Sequence, residues 1–336
     1  MPLVKDIAEK LHVSPSTVSM VLNNKPGISA ATRKRVFEAM DQLGYSGYTP
    51  RAVEKKRLDI QFILYKKHGK IVTDTPFFSN LMEGIESQSR KHNYHLSISY
   101  ITEGSSVEEQ LRSSVPAGCQ GILLLATEMR EKDLLPFRRL GIPMVVVDSY
   151  FETFHTDTVV INNVQGAFEA TRHLIECGHR QIGYFYSKIP INNFLERRDG
   201  YRKALMQFGV PEDPDYEFPI DPNMDGAYND VNEMLSARKK LPTAFFCDND
   251  NICIGVLKAL REHNIRIPED ISLVGFDDIP ICEMMEPQIT TVHVHKQDLG
   301  SLAVDRLSEV IENGSKIDIK IEVSTTLAIR GSVKNL

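Results

Sequence analysis

The sequence predicts two units in series: a small all-α head, then an α/β body of two doubly wound subdomains. Three observations carry this. The chain has 336 residues, beyond the size at which a single core keeps growing. Its charge is divided, since residues 1–57 hold ten Lys/Arg against five Asp/Glu while the rest holds 29 against 40. Its apolar pattern also changes, from helical spacing in the first 43 residues to β-rich runs alternating with helical patterns from residue 59 onward.

A composition of 42% hydrophobic and 25% charged residues excludes a disordered, collagenous or coiled-coil chain. The longest uninterrupted apolar runs, such as 121–126 and 143–147, are far too short to cross a bilayer, and MPLVKDIAEK has no apolar leader core. No membrane partner is expected. Five scattered cysteines predict no disulfide framework and a reducing, cytoplasmic setting.

In the head, Val4, Ile7, Ala8 and Leu11 share one helical face. Ser14-Pro15 reads as N-cap and first-turn proline of a second helix, with Val18, Val21 and Leu22 inward. Residues 23–27, NNKPG, break it. Ser29 caps a third helix with Val36, Ala39, Met40 and Leu43 inward, and Gly44 ends it. Two short helices joined by a tight turn and braced by a third make a helix-turn-helix, whose second helix suits the major groove. A basic module on an acidic chain points to a polyanion.

The run VKDIAEKLHVSPSTVSMVLNNKPGISAATRKRV closely resembles, without gaps, the DNA-binding head of the lactose-repressor (LacI/GalR) family. The resemblance implies base-edge contacts for Pro15, Ser16 and Met20. It implies phosphate or neighbouring-base contacts for Thr17, Ser19 and Asn23, a place in the DNA-binding set for Ser14, and phosphate contacts for Lys5, Arg33 and Lys34. Relatives commonly carry Arg where this chain has Met20. Arg grips guanine through two hydrogen bonds and Met offers only apolar contact, so the preferred operator should differ there.

The hinge departs from the family. Gly44-Tyr45-Ser46-Gly47-Tyr48-Thr49-Pro50 is longer than the usual Gly-Tyr-X-Pro. Arg57 takes the position of the leucine that relatives wedge into the minor groove, and Leu58 follows it. Residues 51–57 are basic and can form a helix on DNA or a solvated linker.

In the body, strands are expected at 60–65, 94–101, 121–125, 144–147, 181–186, 243–246 and 272–275. Helices are expected at 77–92, 164–177, 193–208, 227–236, 251–263 and 296–312. The segments TPFFSNLMEGIE, INNVQGAFEATRHLIECGHRQIGYF, ERRDGYRKAL, PTAFFCDND, SLVGFDD and PQITTV resemble the periplasmic-binding-protein-like core of the same family. The implied layout is a helix-turn-helix domain at 1–47, a hinge at 48–58 and an effector-binding and dimerisation domain at 59–336. Within the last, subdomain 1 takes 59–161 and 292–323, and subdomain 2 takes 162–291 and 324–336.

By motif, the resemblance assigns effector contacts to Asp148, Arg197, Asn249 and Asp277, beside the aromatic pair Phe77 and Phe78. The set suits a polyol, because carboxylates accept from adjacent hydroxyls, Arg donates in a fork, and a ring takes a flat face. Plainer readings stand beside it. Asp148 and Asp277 can cap helices, Arg197 can pair with Asp199 or Glu196, and one phenylalanine can be core. Asp221 replaces an aromatic that relatives carry five residues before Gly226, and joins the candidate set. The long segment 66–75 can bring Lys66, Lys67 or His68 to the pocket rim.

No metal or cofactor is expected. His173, Cys177 and His179, or His293 and His295, lack an evident fourth ligand. No Walker loop, nucleophile elbow or dinucleotide fingerprint occurs. The sequence thus predicts a non-enzymatic transcriptional regulator, a repressor, with three partners: pseudo-palindromic double-stranded operator DNA, a small sugar-like effector and a second copy of itself. No heptad tail follows residue 329, so a homodimer and not a tetramer is expected. The competing class is a small-molecule binding or sugar-processing protein whose head serves only assembly.

Overall fold

The computed structural model describes residues 2–23, 25, 27–44, 57–72, 76–104, 106–237, 240–314 and 317–336. It forms two compact units, one ending at Arg57 and the other running from Leu58 to Leu336. The expected hinge at 48–58 lies outside the described residues except at its last two positions. Residues 24 and 26 of the 23–27 breaker and residues 73–75 of the 66–75 segment lie outside them too.

The head contains α1 (Pro2–Leu11), α2 (Pro15–Leu22) and α3 (Ala30–Gln42). Ile7 and Ala8 of α1, Val18, Val21 and Leu22 of α2, and Val36, Ala39 and Met40 of α3 close one core. Ser14 caps α2 by accepting the Thr17 amide at 3.1 Å, with Pro15 in the first turn, and Ser29 caps α3 by accepting the Thr32 amide at 3.2 Å. Leu43, expected inward, is exposed. The helix ends at Gln42, and the C-cap geometry of Leu43 takes it off the inner face.

The body runs β1 (Leu58–Lys66), α4 (Pro76–Lys91), β2 (Tyr94–Thr102), α5 (Val107–Ser114), β3 (Gly121–Leu125), α6 (Leu135–Arg138), β4 (Met144–Val147), β5 (Asp157–Ile161) and α7 (Asn163–Glu176). It continues with β6 (Ile182–Ser187), α8 (Asn192–Gln207), β7 (Glu217–Ile220), α9 (Met224–Ser236), β8 (Ala244–Cys247), α10 (Asp250–Glu262), β9 (Ser272–Asp277) and β10 (Thr290–His293). It closes with α11 (Lys296–Asn313), β11 (Lys320–Val323) and β12 (Thr326–Ala328). Two six-stranded sheets result, ordered β11-β5-β4-β3-β1-β2 and β12-β10-β9-β8-β6-β7. Every pairing is parallel except that of β12 with β10. Helices cover the sheets, and the strands accordingly read as continuous apolar runs such as Gly121–Leu125, buried throughout.

The chain passes between the sheets three times: from β5 into α7, from β10 into α11, and from β11 to β12. Residues 292 and 293 pair with β9 in the second sheet, so the middle passage comes after His293, two residues beyond the boundary expected between 291 and 292. Returning to the first sheet, α11 packs tightly on α4. A Cβ on Gly84 would lie 2.1 Å from the Gln297 carbonyl oxygen, and one on Gly300 would lie 2.4 Å from that of Leu81. Leu58 pairs opposite Tyr94 and packs on the core as the first residue of β1.

Candidate functional site

Two regions gather the chemistry, one in each unit. On the head, Lys5, Ser14, Pro15, Ser16 and Asn23 are exposed, and Thr17, Ser19, Met20 and Arg33 are half-buried. The Ser14 hydroxyl bonds those of Ser16 at 2.7 Å and Thr17 at 2.8 Å, tying the first turn of α2 into one polar cluster. Asn23 donates to the Ser19 carbonyl at 2.8 Å and closes the other end. Met20 lies against the turn at Gly27, whose φ of +95° suits a glycine there. Arg33 donates to the carbonyls of Lys25 and Ile28 and so braces the turn between α2 and α3.

In the body, the carboxyl ends of the strands of both sheets converge, the place where open α/β sheets bind ligands. Asp148 follows β4 with φ +64°, and Asp277 ends β9 with φ +109°. Both are left-handed conformations that a non-glycine residue holds only when its surroundings fix it. The buried Asp148 carboxylate accepts from the Thr127 hydroxyl at 2.5 Å and from Asn193 Nδ2 at 2.9 Å. Burial pushes its pKa up to about 6 against the pull of these bonds and of Arg197.

Arg197 of α8 is the hub. Its Nε donates to Asn163 Oδ1 at 2.9 Å, Nη1 to the Asp248 carbonyl at 2.6 Å and Nη2 to Asp277 Oδ1 at 3.1 Å. The guanidinium carbon stacks 3.7 Å from the centre of the Phe276 ring. Arg197 pairs with Asp277, not with Asp199 or Glu196. Asn249 caps α10 by accepting the Ile252 amide at 2.8 Å. Phe77 and Phe78, T-shaped at 5.1 Å, are both buried against the same space. Asp148, Arg197, Asn249, Asp277 and the two phenylalanines therefore line one cavity, together with Ile71, Thr127, Ile191, Asn193 and Phe194. Its volume is about 30 Å³. That is room for a water or two, an order of magnitude below an ordinary ligand pocket.

Asp221 departs from expectation. It does not line the cavity. It pairs with Lys70 at 3.1 Å and accepts from Asn223. Lys66, Lys67 and His68 also stay off the rim. Lys66 lies over the Tyr100 ring, Lys67 pairs with Asp133 and Glu103, and His68 faces Glu128.

Several participants escaped the sequence reading. Asp248 accepts from the Tyr184 hydroxyl and, at 2.7 Å, from the Ser187 amide. Asp250 accepts from the Thr291 hydroxyl at 2.6 Å and the Ile279 amide at 3.0 Å. Burial raises both pKa values to about 7. Lys296 donates to the carbonyls of Asp277 and Asp278, and burial lowers its pKa. Only Asn193 carried a usable signal, since it stands four residues before Arg197 on one helix face.

Among the described residues no three His, Cys, Asp or Glu side chains converge as a metal site. His173 lies 3.8 Å from Cys177 Sγ, the buried His179 bonds Thr243, and His293 pairs with Asp278. No helix among them is long and apolar enough to cross a membrane.

A model of the bacterial regulatory proteins of the lacI family matches residues 3–47, and a periplasmic binding protein-like domain matches residues 171–333. The HTH-type transcriptional repressor PurR of Aliivibrio salmonicida (strain LFI1238) is 32% identical over 341 residues, covering 100% of both chains. The ribose operon repressor of Haemophilus influenzae is 30% identical over 340 residues, also covering 100% of both. Among solved structures, a complex of the transcriptional regulator CelR with cellobiose superposes with a TM-score of 0.74 at 25% identity, covering 98% of this chain and 99% of that one.

Proposed function

The chain belongs to the lacI family of bacterial regulatory proteins, and we propose from that premise that it is a sequence-specific DNA-binding repressor governed by a small polyhydroxylated effector, a sugar or related polyol. The observation that carries the effector half is the convergence of Asp148, Arg197, Asn249 and Asp277 with two aromatic rings between the sheets. Carboxylates that accept, a guanidinium that donates and rings that stack are the complement of a hydroxylated ring. The cavity as it stands is too small for one, so the two sheets must part to admit it. The effector then acts by its unequal affinity for the open and closed bodies. In a homodimer that equilibrium would set the spacing of two heads on a pseudo-palindromic operator. The reading assigns the protein no catalytic step, and turnover of a bound sugar would overturn that.

The effector half is tested by a thermal-shift screen of the full chain against sugars, beginning with D-ribose and cellobiose. A bound effector at a hundred times its Kd should stabilise the chain by about 2.7 kcal/mol. A panel of monosaccharides and disaccharides that gives no shift would remove the sugar reading.

The DNA half yields two predictions. Met20→Arg should change base preference at one symmetric pair of operator positions, by ~1–3 kcal/mol of discrimination. Selection from randomised operators reads this directly, and an unchanged consensus would show that Met20 does not face the groove. Arg57, exposed just before β1, should supply a phosphate or minor-groove contact. Arg57→Ala should weaken operator binding and reduce the slope of log K against log salt by about one charge. A slope identical to wild type would place Arg57 away from DNA.

A further inference from the structure

Glu128 has no part in the chemistry described so far, yet it is buried with its side chain fully shielded. Its carboxylate receives five backbone amides from one short segment. Oε2 accepts from Lys67 at 2.8 Å, His68 at 3.1 Å and Gly69 at 3.0 Å, and Oε1 accepts from Ile71 at 2.9 Å and Val72 at 3.2 Å. A carboxylate has about four lone-pair sites, so this segment saturates it. Burial alone would raise its pKa, but the amides of Ile71, Gly69 and His68 outweigh that and hold it ionised.

Segment 67–72 follows β1 of the first sheet and reaches over to the second subdomain. Ile71 packs with Ile191 and Phe194, and all three line the effector cavity. Lys70 meets Asp221 at 3.1 Å, but half of the lysine side chain is in solvent, so that pair is the weaker fastening.

We propose that segment 67–72 is a strap across the cleft and that Glu128 is its positioning residue, holding Ile71 where it covers the effector. The inference rests on the reading of this cleft as an effector site. The strap is bonded firmly at one end and lightly at the other. On opening it should travel with the first sheet, releasing Ile71 from Ile191 and Phe194 and Lys70 from Asp221. Glu128 then acts through the strap without touching the ligand.

The test needs no ligand. It combines hydrogen exchange at the amides of 67–72 with energy transfer between dyes on opposite subdomains, at Glu109→Cys and Asn229→Cys in a Cys177→Ser full-length background. Glu128→Gln should speed exchange of the strap amides at least tenfold and lower the transfer efficiency. The pair Lys70→Ala with Ile71→Ser should lower the transfer efficiency while strap exchange stays within about twofold of the parent. Strap amides unaffected by Glu128→Gln overturn the proposal. So does fast exchange with unchanged transfer, because Glu128 would then only be folding a local loop. If Glu128→Gln does not fold, unchanged transfer in the Lys70/Ile71 variant is sufficient to overturn it. A failed strap leaves the sugar reading intact, and an unresponsive sugar panel leaves these measurements as informative as before.

Discussion

Arg197→Ala is expected to abolish the response to sugar, and to lower the stability of the body by about 3–5 kcal/mol, the usual cost of stripping one partner from a buried ion pair. Three hydrogen bonds disappear at once, to Asn163, Asp248 and Asp277. Asp277 loses the guanidinium that bonds its carboxylate and keeps only the charge of Lys296 nearby. Arg197→Lys should recover part of the stability but not the ligand response, because an ammonium restores the charge without the planar fork. Operator affinity below the melting transition should stay within a few-fold of wild type, since the residue lies in the body. Fluorescence anisotropy with and without sugar, read beside a melting curve, separates the two effects. Wild-type sugar affinity in Arg197→Ala would show that the cleft has been assigned to the wrong task.

Alkaline pH is expected to destabilise the body. Burial raises the pKa of Asp148 to about 6 and those of Asp248 and Asp250 to about 7. In the unfolded chain these groups titrate near 3.9. Between those limits the folded state binds more protons, so unfolding free energy falls as pH rises. The contribution is complete below about pH 4 and is lost through pH 6–7. Asp278 and Glu128 act oppositely, since bonds to Arg330 and to the strap amides hold their pKa values below the usual range and their contribution is lost in acid. The two trends place the maximum near pH 5, with a decline of roughly 3–6 kcal/mol towards pH 8. Urea unfolding at pH 5, 6.5 and 8 checks this. Asp250→Asn should flatten the slope, because the carboxamide keeps the shape and does not ionise. Stability that rises from pH 5 to 8 would refute the assignment.

The elements legible in the sequence were those whose signal is local. The breaker at 23–27, the stop at Gly44 and the paired serine caps of the head marked its second and third helices within a residue or two, and Gly121–Leu125 and Met144–Val147 stood out as apolar runs. The strands Glu217–Ile220, Thr290–His293, Lys320–Val323 and Thr326–Ala328 did not. Each has three or four residues, and one holds Pro219, tolerable because β7 is an edge. Asp157–Ile161 is fully buried but starts on a charged residue, which Arg306 neutralises from α11 far along the chain. The site followed the same division. Asp148 and Asp277 sit at strand ends and Arg197 lies within α8, and it was the resemblance to the family's motifs that marked all three. Lys296, Asp248 and Glu128 acquire their meaning from partners that no spacing rule reaches. Asp221 was misplaced for the same reason, because its lysine comes from the opposite subdomain, 151 positions away in sequence.

The three passages between the sheets carry a mechanical consequence. Two of them are stitched together: the Asn162 amide donates to the Val323 carbonyl at 2.9 Å, and Gln165 bonds both the amide and the carbonyl of Thr325. The third arrives from β10, whose His293 pairs with Thr326 at the start of β12. A single connecting strand would be a universal joint, free to twist as well as bend. Strands joined side by side behave as a door hinge, in which bending is cheap and torsion breaks hydrogen bonds. Such a joint turns displacement at the cleft into rotation about one fixed axis, so little of the effector's binding energy is dissipated in other directions. It also survives damage, since cutting the chain at any one passage leaves the leaves of the hinge attached.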